Sequence, residues 1–201
     1  MQVLDRPSRT RSDHEPFSLE TIPHDTAGES FGDALAAGLG SQPKSLPCRF
    51  FYDERGSQLF EEITALEEYY PTRTERCILE DYAHEIAAAV GPDPELVELG
   101  AGSSSKTQLL IEALIEEHGQ LVFRPIDISP TILEASADAL LDGHPRLAVR
   151  ALAAEYDAGL QRLSEIASKG SRLIAWLGSS IGNLSRDAAA RFLERLRRGL
   201  R

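Results

Sequence analysis

The chain has 201 residues, 42% hydrophobic and 26% charged, which is the balance of a globular protein with its own core. Its 21 basic against 32 acidic residues give a net charge of −11, which argues against a general nucleic-acid binder because such proteins need a basic face. No apolar run reaches the length of a membrane span, no secretory signal is recognisable, and two cysteines with five scattered histidines favour neither a disulfide framework nor a metal centre, so we expect a cytoplasmic enzyme or small-ligand protein.

The beginning of the chain is polar, contains three prolines and has little periodicity. It therefore predicts a mostly disordered tail over residues 1–30. A helical region is predicted next, over residues 31–91. Ser30 is placed to cap its first short helix, which the glycines at 38 and 40 should end.

Two more helices are predicted in this region. Apolar residues at helical spacing mark one near residues 56–63. Thr72 and Glu75 have the spacing of a capping box, which predicts the start of a longer helix that Gly91 ends.

From Glu95 onward, strands alternate with helices. Strands are predicted at 96–99, 121–126, 147–152 and 172–177. Helices are predicted near 106–118, 130–141 and 157–167, and after Ser185. This alternation predicts a parallel, doubly wound sheet, with the 172–177 strand beside the first strand.

A glycine loop, Gly100-Ala101-Gly102, connects the first strand to the next helix, as nucleotide-binding loops do. Serines replace the third glycine of the dinucleotide fingerprint, which disfavours a nicotinamide dehydrogenase. Glu98 beside the loop suits a ligand with an ammonium group, and Asp127 ends the second strand, where an acid can bind both ribose hydroxyls. The pattern favours S-adenosylmethionine (SAM); for the loop by itself, a plain tight turn is the alternative.

Two further groups have both a functional and a structural interpretation. Asn183 follows the fourth strand and could bind a ligand there or serve as an ordinary turn residue. A cluster of tyrosines and arginines in the helical region could form a substrate lid or pack that region against the sheet. The cluster comprises Tyr52, Arg55, Tyr69, Tyr70 and Arg73.

Five segments occur in an order that carries a family resemblance. They are PKSLP at 43–47, FYDERGS at 51–57, EYYPTRTE at 68–75, VELGAG at 97–102 and LGSSIGNL at 177–184. Together they resemble the SAM-dependent histidine Nα-methyltransferases of ergothioneine biosynthesis, over about residues 43–201. The tyrosine-rich segment and the last segment are more specific than the glycine loop.

The resemblance implies an α/β fold, with a Rossmann-like class I methyltransferase sheet over residues 92–201 preceded by a helical substrate or lid region. It implies up to three methyl transfers from SAM to the α-amine of histidine, giving trimethylhistidine (hercynine). It also implies that Tyr69 and Asn183 bind histidine, that Tyr52 lies near the cofactor without an assigned role, and that no residue is certainly catalytic. The implied SAM contacts are Gly100, Lys106 and Asp127, with Glu155 and Tyr156 beside the adenine in place of an Asp-Phe pair.

The sequence also departs from the family pattern. Cys48 replaces a proline, and the later strands and second region that complete the histidine pocket are missing. We therefore expect an incomplete domain that is inactive alone, and an intact protein that is monomeric, binds a small amino acid and contacts neither nucleic acid nor membrane. The alternatives are the same fold acting on another amine, such as an indole amino acid, or a truncated chain that binds SAM weakly.

Overall fold

The computed structural model describes residues 15–23, 30–51, 54–102, 104–198 and 200. In these ranges the strands are β1 (Phe17–Thr21), β2 (Glu95–Leu99), β3 (Leu121–Asp127), β4 (Leu147–Ala153) and β5 (Arg172–Ala175). The helices are α1 (Phe31–Gly40), α2 (Glu54–Thr64), α3 (Pro71–Ala89), α4 (Gln108–His118), α5 (Pro130–Gly143), α6 (Tyr156–Glu165) and α7 (Arg186–Arg198). Two short 3-10 turns span Cys48–Phe51 and Ser180–Asn183. No helix in the described part of the chain is both long and apolar enough to cross a membrane.

The strands form one parallel sheet with the order β1-β4-β3-β2-β5. Helices connect consecutive strands from β2 onward, as parallel pairing requires. The predicted α/β class and the place of β5 beside β2 are therefore confirmed. All five residues of β2 are buried, which explains why this strand reads as a short, largely apolar run.

The first strand corrects the tail prediction. Phe17–Thr21 pairs in parallel with β4, so the prediction of disorder is wrong for these residues and the sheet has five strands rather than four. Phe17 and Leu19 pack on the core, and Glu20 forms an ion pair with Arg162. Flanking prolines suit an edge strand, which does not need every backbone donor. The rest of the predicted tail, 1–14 and 24–29, lies outside the described residues.

Helix ends are partly as expected. Ser30 and Ser129 accept hydrogen bonds from backbone amides in the first turns of α1 and α5, and Gly119 ends α4 with a φ of +85°. The capping box at Thr72 is wrong, because α3 already begins at Pro71 and Tyr70 caps it without a side-chain bond. Proline suits a first helical position, where no amide hydrogen is needed.

The apolar core lies on both faces of the sheet. One cluster joins the sheet to α3, α4 and α5 and includes Leu96 and Phe123, both fully buried. The other joins it to α6 and α7 through residues such as Leu99, Leu163 and Phe192. The two layers leave the carboxyl ends of the strands, where parallel sheets bind ligands, as the place for a site.

Candidate functional site

The glycine loop between β2 and α4 has the backbone that only glycine adopts readily. Gly100 and Gly102 have φ values of +70° and +50°. The amide of Gly100 donates to the carbonyl of Ile126 at 2.8 Å, and the amide of Gly102 donates to the Asp127 carboxylate at 3.1 Å. The loop is therefore tied to the end of the neighbouring strand β3.

Asp127 links two backbone segments. Its Oδ2 accepts the Gly102 amide, and its Oδ1 accepts the amide of Ser129 at 3.0 Å. Each carboxylate oxygen can accept a further bond, and the side chain is only half-buried. Asp127 can thus bind ligand hydroxyls while it anchors the loop.

Glu98 is a buried carboxyl group next to this loop. Its Oε1 accepts a hydrogen bond from the Thr107 hydroxyl, whereas its Oε2 has no hydrogen-bond partner among the described residues. Burial raises the pKa of Glu98 to about 8, against the lowering effects of the Thr107 bond and the Lys106 charge. A buried acceptor left open beside a glycine loop fits a ligand that brings an ammonium group, as SAM does.

Lys106 and Gly178 meet at one carboxylate. The Lys106 ammonium forms an ion pair with Glu75 of α3, and the amide of Gly178 donates to both Glu75 oxygens at 2.8 and 3.1 Å. Gly178 follows β5 and has a φ of +74°. The sequence does not predict this role of Glu75, because the spacing of Thr72 and Glu75 favours a local capping box instead.

Tyr156 contacts the glycine loop from the α6 side. A Cβ added to Gly100 would lie 2.3 Å from the Tyr156 hydroxyl oxygen, so that hydroxyl lies directly against Gly100. The ring packs with Trp176 and Phe192, with centroids 6.2 and 6.0 Å apart. Glu155 precedes it as the extended N-cap residue of α6. The structure thus brings Tyr156 and Gly100 together.

The two residues expected to bind histidine lie on separate elements. Tyr69 is half-buried in the turn between α2 and α3, with its ring edge-on to Phe60 at 6.0 Å. Asn183 is exposed at the end of the Ser180–Asn183 turn. Neither side chain forms a hydrogen bond to the other in the described structure, and Tyr52 lies outside the described residues.

Arg73 stabilises the turn that carries Tyr69. Its guanidinium donates to the carbonyl of Leu66 at 2.8 Å and also to the carbonyl of Glu67. A planar guanidinium can bridge two carbonyls in this way, whereas an ammonium is a point donor. Arg73 therefore has a definite structural role within the predicted tyrosine and arginine cluster.

An open groove of about 440 Å³ lies in the same helical region. Its walls are mostly apolar and come from the Cys48–Phe51 turn and α2, with Phe60 contacting both the groove and Tyr69. None of the predicted cofactor residues lines it. The groove and the glycine loop are thus separate features of the described structure.

Comparisons with known proteins agree with these observations. The family model of the histidine-specific, SAM-dependent methyltransferases matches residues 31–201. A histidine N-alpha-methyltransferase from Mycolicibacterium smegmatis is 41% identical over 172 residues, which are 86% of this chain and 52% of that protein.

Other relatives differ in the activity that their names give. Ergothioneine biosynthesis protein 1 from Neurospora crassa is 39% identical over 76% of this chain and 17% of its own length. A 4-dimethylallyltryptophan N-methyltransferase from Aspergillus fumigatus is 32% identical over 83% of this chain and 50% of its own length. The chain spans about half the length of the methyltransferases it matches, and less of the Neurospora protein.

Proposed function

The chain belongs to the family of histidine-specific, SAM-dependent methyltransferases, and we propose that it carries the SAM site and part of the substrate site of an L-histidine Nα-methyltransferase. The product would be trimethylhistidine, made by up to three transfers. Relatives named for histidine methylation and ergothioneine biosynthesis support this assignment. The more distant relative named for a tryptophan derivative supports the second candidate, methylation of an indole amino acid.

The geometry that carries the proposal is the linked set of glycine loop, Asp127 and Glu98. The loop lets a ligand approach the backbone closely, because Gly100 and Gly102 have no side chains. Asp127 is assigned the ribose hydroxyls, and the open Oε2 of Glu98 is assigned the ammonium of the cofactor. When bound, SAM supplies an electrophilic methyl group on a positively charged sulfur.

The protein's own task in such a reaction is mostly positioning. Tyr69 and Asn183 would orient the amino acid, through a phenol and an amide that can both donate and accept hydrogen bonds. The α-amine of a free amino acid is mostly protonated at physiological pH, so the site must take it up in its neutral form or accept its proton before the methyl transfer. Within this proposal no covalent nucleophile is needed, and a tyrosine or a water molecule accepts the proton.

Glu155, Tyr156 and Lys106 complete the proposed cofactor site. The Tyr156 hydroxyl lies against Gly100, so its assignment beside the adenine is consistent with this contact to the loop. Lys106, which precedes α4, forms an ion pair with Glu75. Glu155 contributes a carboxylate at the end of β4, on the same edge of the sheet as Asp127.

Calorimetry with two adenosine ligands tests the cofactor assignment. S-adenosylhomocysteine retains the ammonium of SAM, whereas 5′-methylthioadenosine lacks it. A bound ammonium favours the ionised form of Glu98 and so displaces its proton. Glu98→Gln should therefore weaken the affinity for S-adenosylhomocysteine by about fivefold or more and leave the affinity for 5′-methylthioadenosine nearly unchanged, because only the first ligand contains the ammonium. Equal losses for both ligands would contradict the ammonium assignment.

Asp127→Ala should lower the affinity for both ligands by about tenfold or more, because it removes charge-assisted hydrogen bonds to the ribose. The exposed Asp138→Asn on α5 is the matched control, and its affinity should equal that of the wild type. Thermal melts of the free variants separate loss of ligand contacts from loosening of the loop. Unchanged affinity in Asp127→Ala would remove this residue from the site.

Mass spectrometry tests the substrate. The measurement uses the 201-residue chain and a chimera in which it replaces the matching half of the Mycolicibacterium protein. With SAM and single amino acids, histidine should gain up to three methyl groups in the chimera. Preferred methylation of tryptophan derivatives would establish the second candidate instead. Asn183→Ala should raise the KM for histidine more than that for SAM.

A further inference from the structure

Glu75 is the point at which three separate parts of the molecule meet. It lies one turn into α3, its ion-pair partner Lys106 precedes α4, and its amide partner Gly178 follows β5. These partners are 31 and 103 residues away in sequence. The contacts are therefore tertiary and owe nothing to helix propensity.

The surroundings of Glu75 make it more than a surface ion pair. Its side chain is 23% exposed and that of Lys106 is 21% exposed, so both charges are largely withdrawn from water. Each oxygen of the carboxylate also accepts the Gly178 amide. An unpaired charge at such a position is costly, so the three groups should hold one arrangement.

Gly178 brings the turn after β5 to the Glu75–Lys106 ion pair. Its φ of +74° favours glycine, and a Cβ added there would lie 3.8 Å from the Lys106 ammonium nitrogen. The same turn continues into Ser180–Asn183. One carboxylate thus fixes both Lys106, which is assigned to the cofactor, and the segment that ends at Asn183, which is assigned to the substrate.

We propose that Glu75 is a positioning residue that sets the cofactor side and the substrate side of the site relative to each other through Lys106 and Gly178. The roles of the two sides rest on the proposed function. The contacts of Glu75 with Lys106 and Gly178 can be tested without any ligand, so this proposal and the proposed function can fail separately.

The first experiment measures the reactivity of lysines. The chain has only three, Lys44, Lys106 and Lys169, and the other two are exposed, so they serve as internal standards in one sample. Acetylation is followed residue by residue by mass spectrometry. In Glu75→Gln the labelling rate of Lys106 relative to the standards should rise by about threefold or more, because the amide cannot replace the ion pair.

Glu80→Gln is the matched control, since it removes an ion pair with Arg76 farther along the same helix. It should leave Lys106 labelling unchanged. If Glu75→Gln does not fold, Glu75→Asp keeps the charge but shortens the reach, and it should give an intermediate rate. A Lys106 rate equal to that of the wild type in the Glu75 variants would overturn the proposal.

The second experiment is a double-mutant cycle with S-adenosylhomocysteine as the probe. Glu75→Gln and Lys106→Met should each weaken binding by about fivefold or more, and the double variant should bind no more weakly than Lys106→Met. Additive losses would show that Glu75 does not act through Lys106, and overturn the proposal. If the wild type does not bind the probe, the cofactor assignment fails and lysine labelling by itself decides whether Glu75 holds Lys106.

Discussion

The sheet and the helical region before it bury their apolar side chains to very different extents. Leu96 in β2 and Leu114 in α4 are fully buried, whereas large apolar residues of the helical region stay exposed. These include Phe31, Phe51, Leu59, Ile63, Leu66 and Ile78. Burial supplies most of the free energy of folding, so the sheet and the buried face of α3 that packs on it should be more stable than the rest of the helical region, which depends on a few specific contacts.

The difference matters for the proposed site because its two sides come from the two regions. The glycine loop and Asp127 lie at the carboxyl ends of the interior strands β2 and β3, whereas Tyr69 lies in the helical region. Arg73 closes the Tyr69 turn, and Glu75 connects α3 to the sheet. A ligand that touches both sides would stabilise the helical region more than the sheet.

The largest expected effect comes from a matched pair of leucine substitutions. Leu96→Ala should lower the free energy of unfolding by about 3 kcal/mol or more, because it leaves a cavity in a fully packed core. Leu59→Ala, at a side chain that is 42% exposed, should cost less than about 1 kcal/mol. Urea unfolding measures both, and equal losses would refute the contrast between the regions.

The second prediction concerns Glu98 and pH. Its pKa is about 8 in the folded protein against an ordinary value of 4.5, so between these pH values the folded chain holds a proton that the unfolded chain has lost. This carboxyl should therefore cost stability progressively as pH rises from about 4.5 to 8. The full penalty should remain above that range.

Glu98→Gln removes this titration and should be more stable than the wild type by a few kcal/mol at pH 8, at about 1.4 kcal/mol per pKa unit. At pH 5 the two proteins should differ much less. Unfolding is measured in urea from about pH 5 to 8.5, a range that spans the titration. A free-energy difference that does not grow with pH would show that Glu98 is not a protonated buried acid.

The third prediction compares two glycines of the loop. Gly100→Ala should lower stability by about 2 kcal/mol, because its positive φ is strained for alanine and the new Cβ meets the Tyr156 hydroxyl. Gly102 also has a positive φ, but a Cβ added there would meet no other atom. Gly102→Ala should therefore lower stability by only about 1 kcal/mol. Tyr156→Phe should relieve part of the Gly100→Ala loss and none of the Gly102→Ala loss.

The smallest effect is expected for Arg73→Lys. The lysine keeps the charge but cannot bridge the carbonyls of Leu66 and Glu67. The free energy needed to open this turn locally should therefore fall by about 1 kcal/mol. Limited proteolysis should cut faster near residues 64–70, while the melting of the sheet stays unchanged. Faster cutting in the sheet as well would mean that the two regions unfold together.

The elements that could be predicted from sequence are those with local causes. The caps at Ser30 and Ser129, the stop at Gly119 and the alternation from β2 to β5 follow from residue type and spacing. The glycine loop and Asp127 could also be paired in advance, because consecutive parallel strands end at the same edge of a sheet.

Other features could not be predicted because their causes lie far away in the chain. Phe17–Thr21 lies between prolines in a polar stretch with little periodicity, and only its pairing with β4, about 130 residues later, makes it a strand. Thr72 and Glu75 have the correct spacing for a capping box, but Tyr70-Pro71 begins the helix earlier and leaves the Glu75 carboxylate available to Lys106 and Gly178.

The sequence by itself therefore determined the order of strands and helices from β2 onward, the class of the fold and the residues offered at the carboxyl ends of the strands, since these depend on periodicity, turns and caps. Only the tertiary structure decided that β1 completes one edge of the sheet, that Glu98 is buried with an unpaired oxygen, and that Glu75 joins the helical region to the sheet. The physical reason is that burial and long-range ion pairing are properties of the packed chain, whereas propensity and periodicity are properties of a short segment.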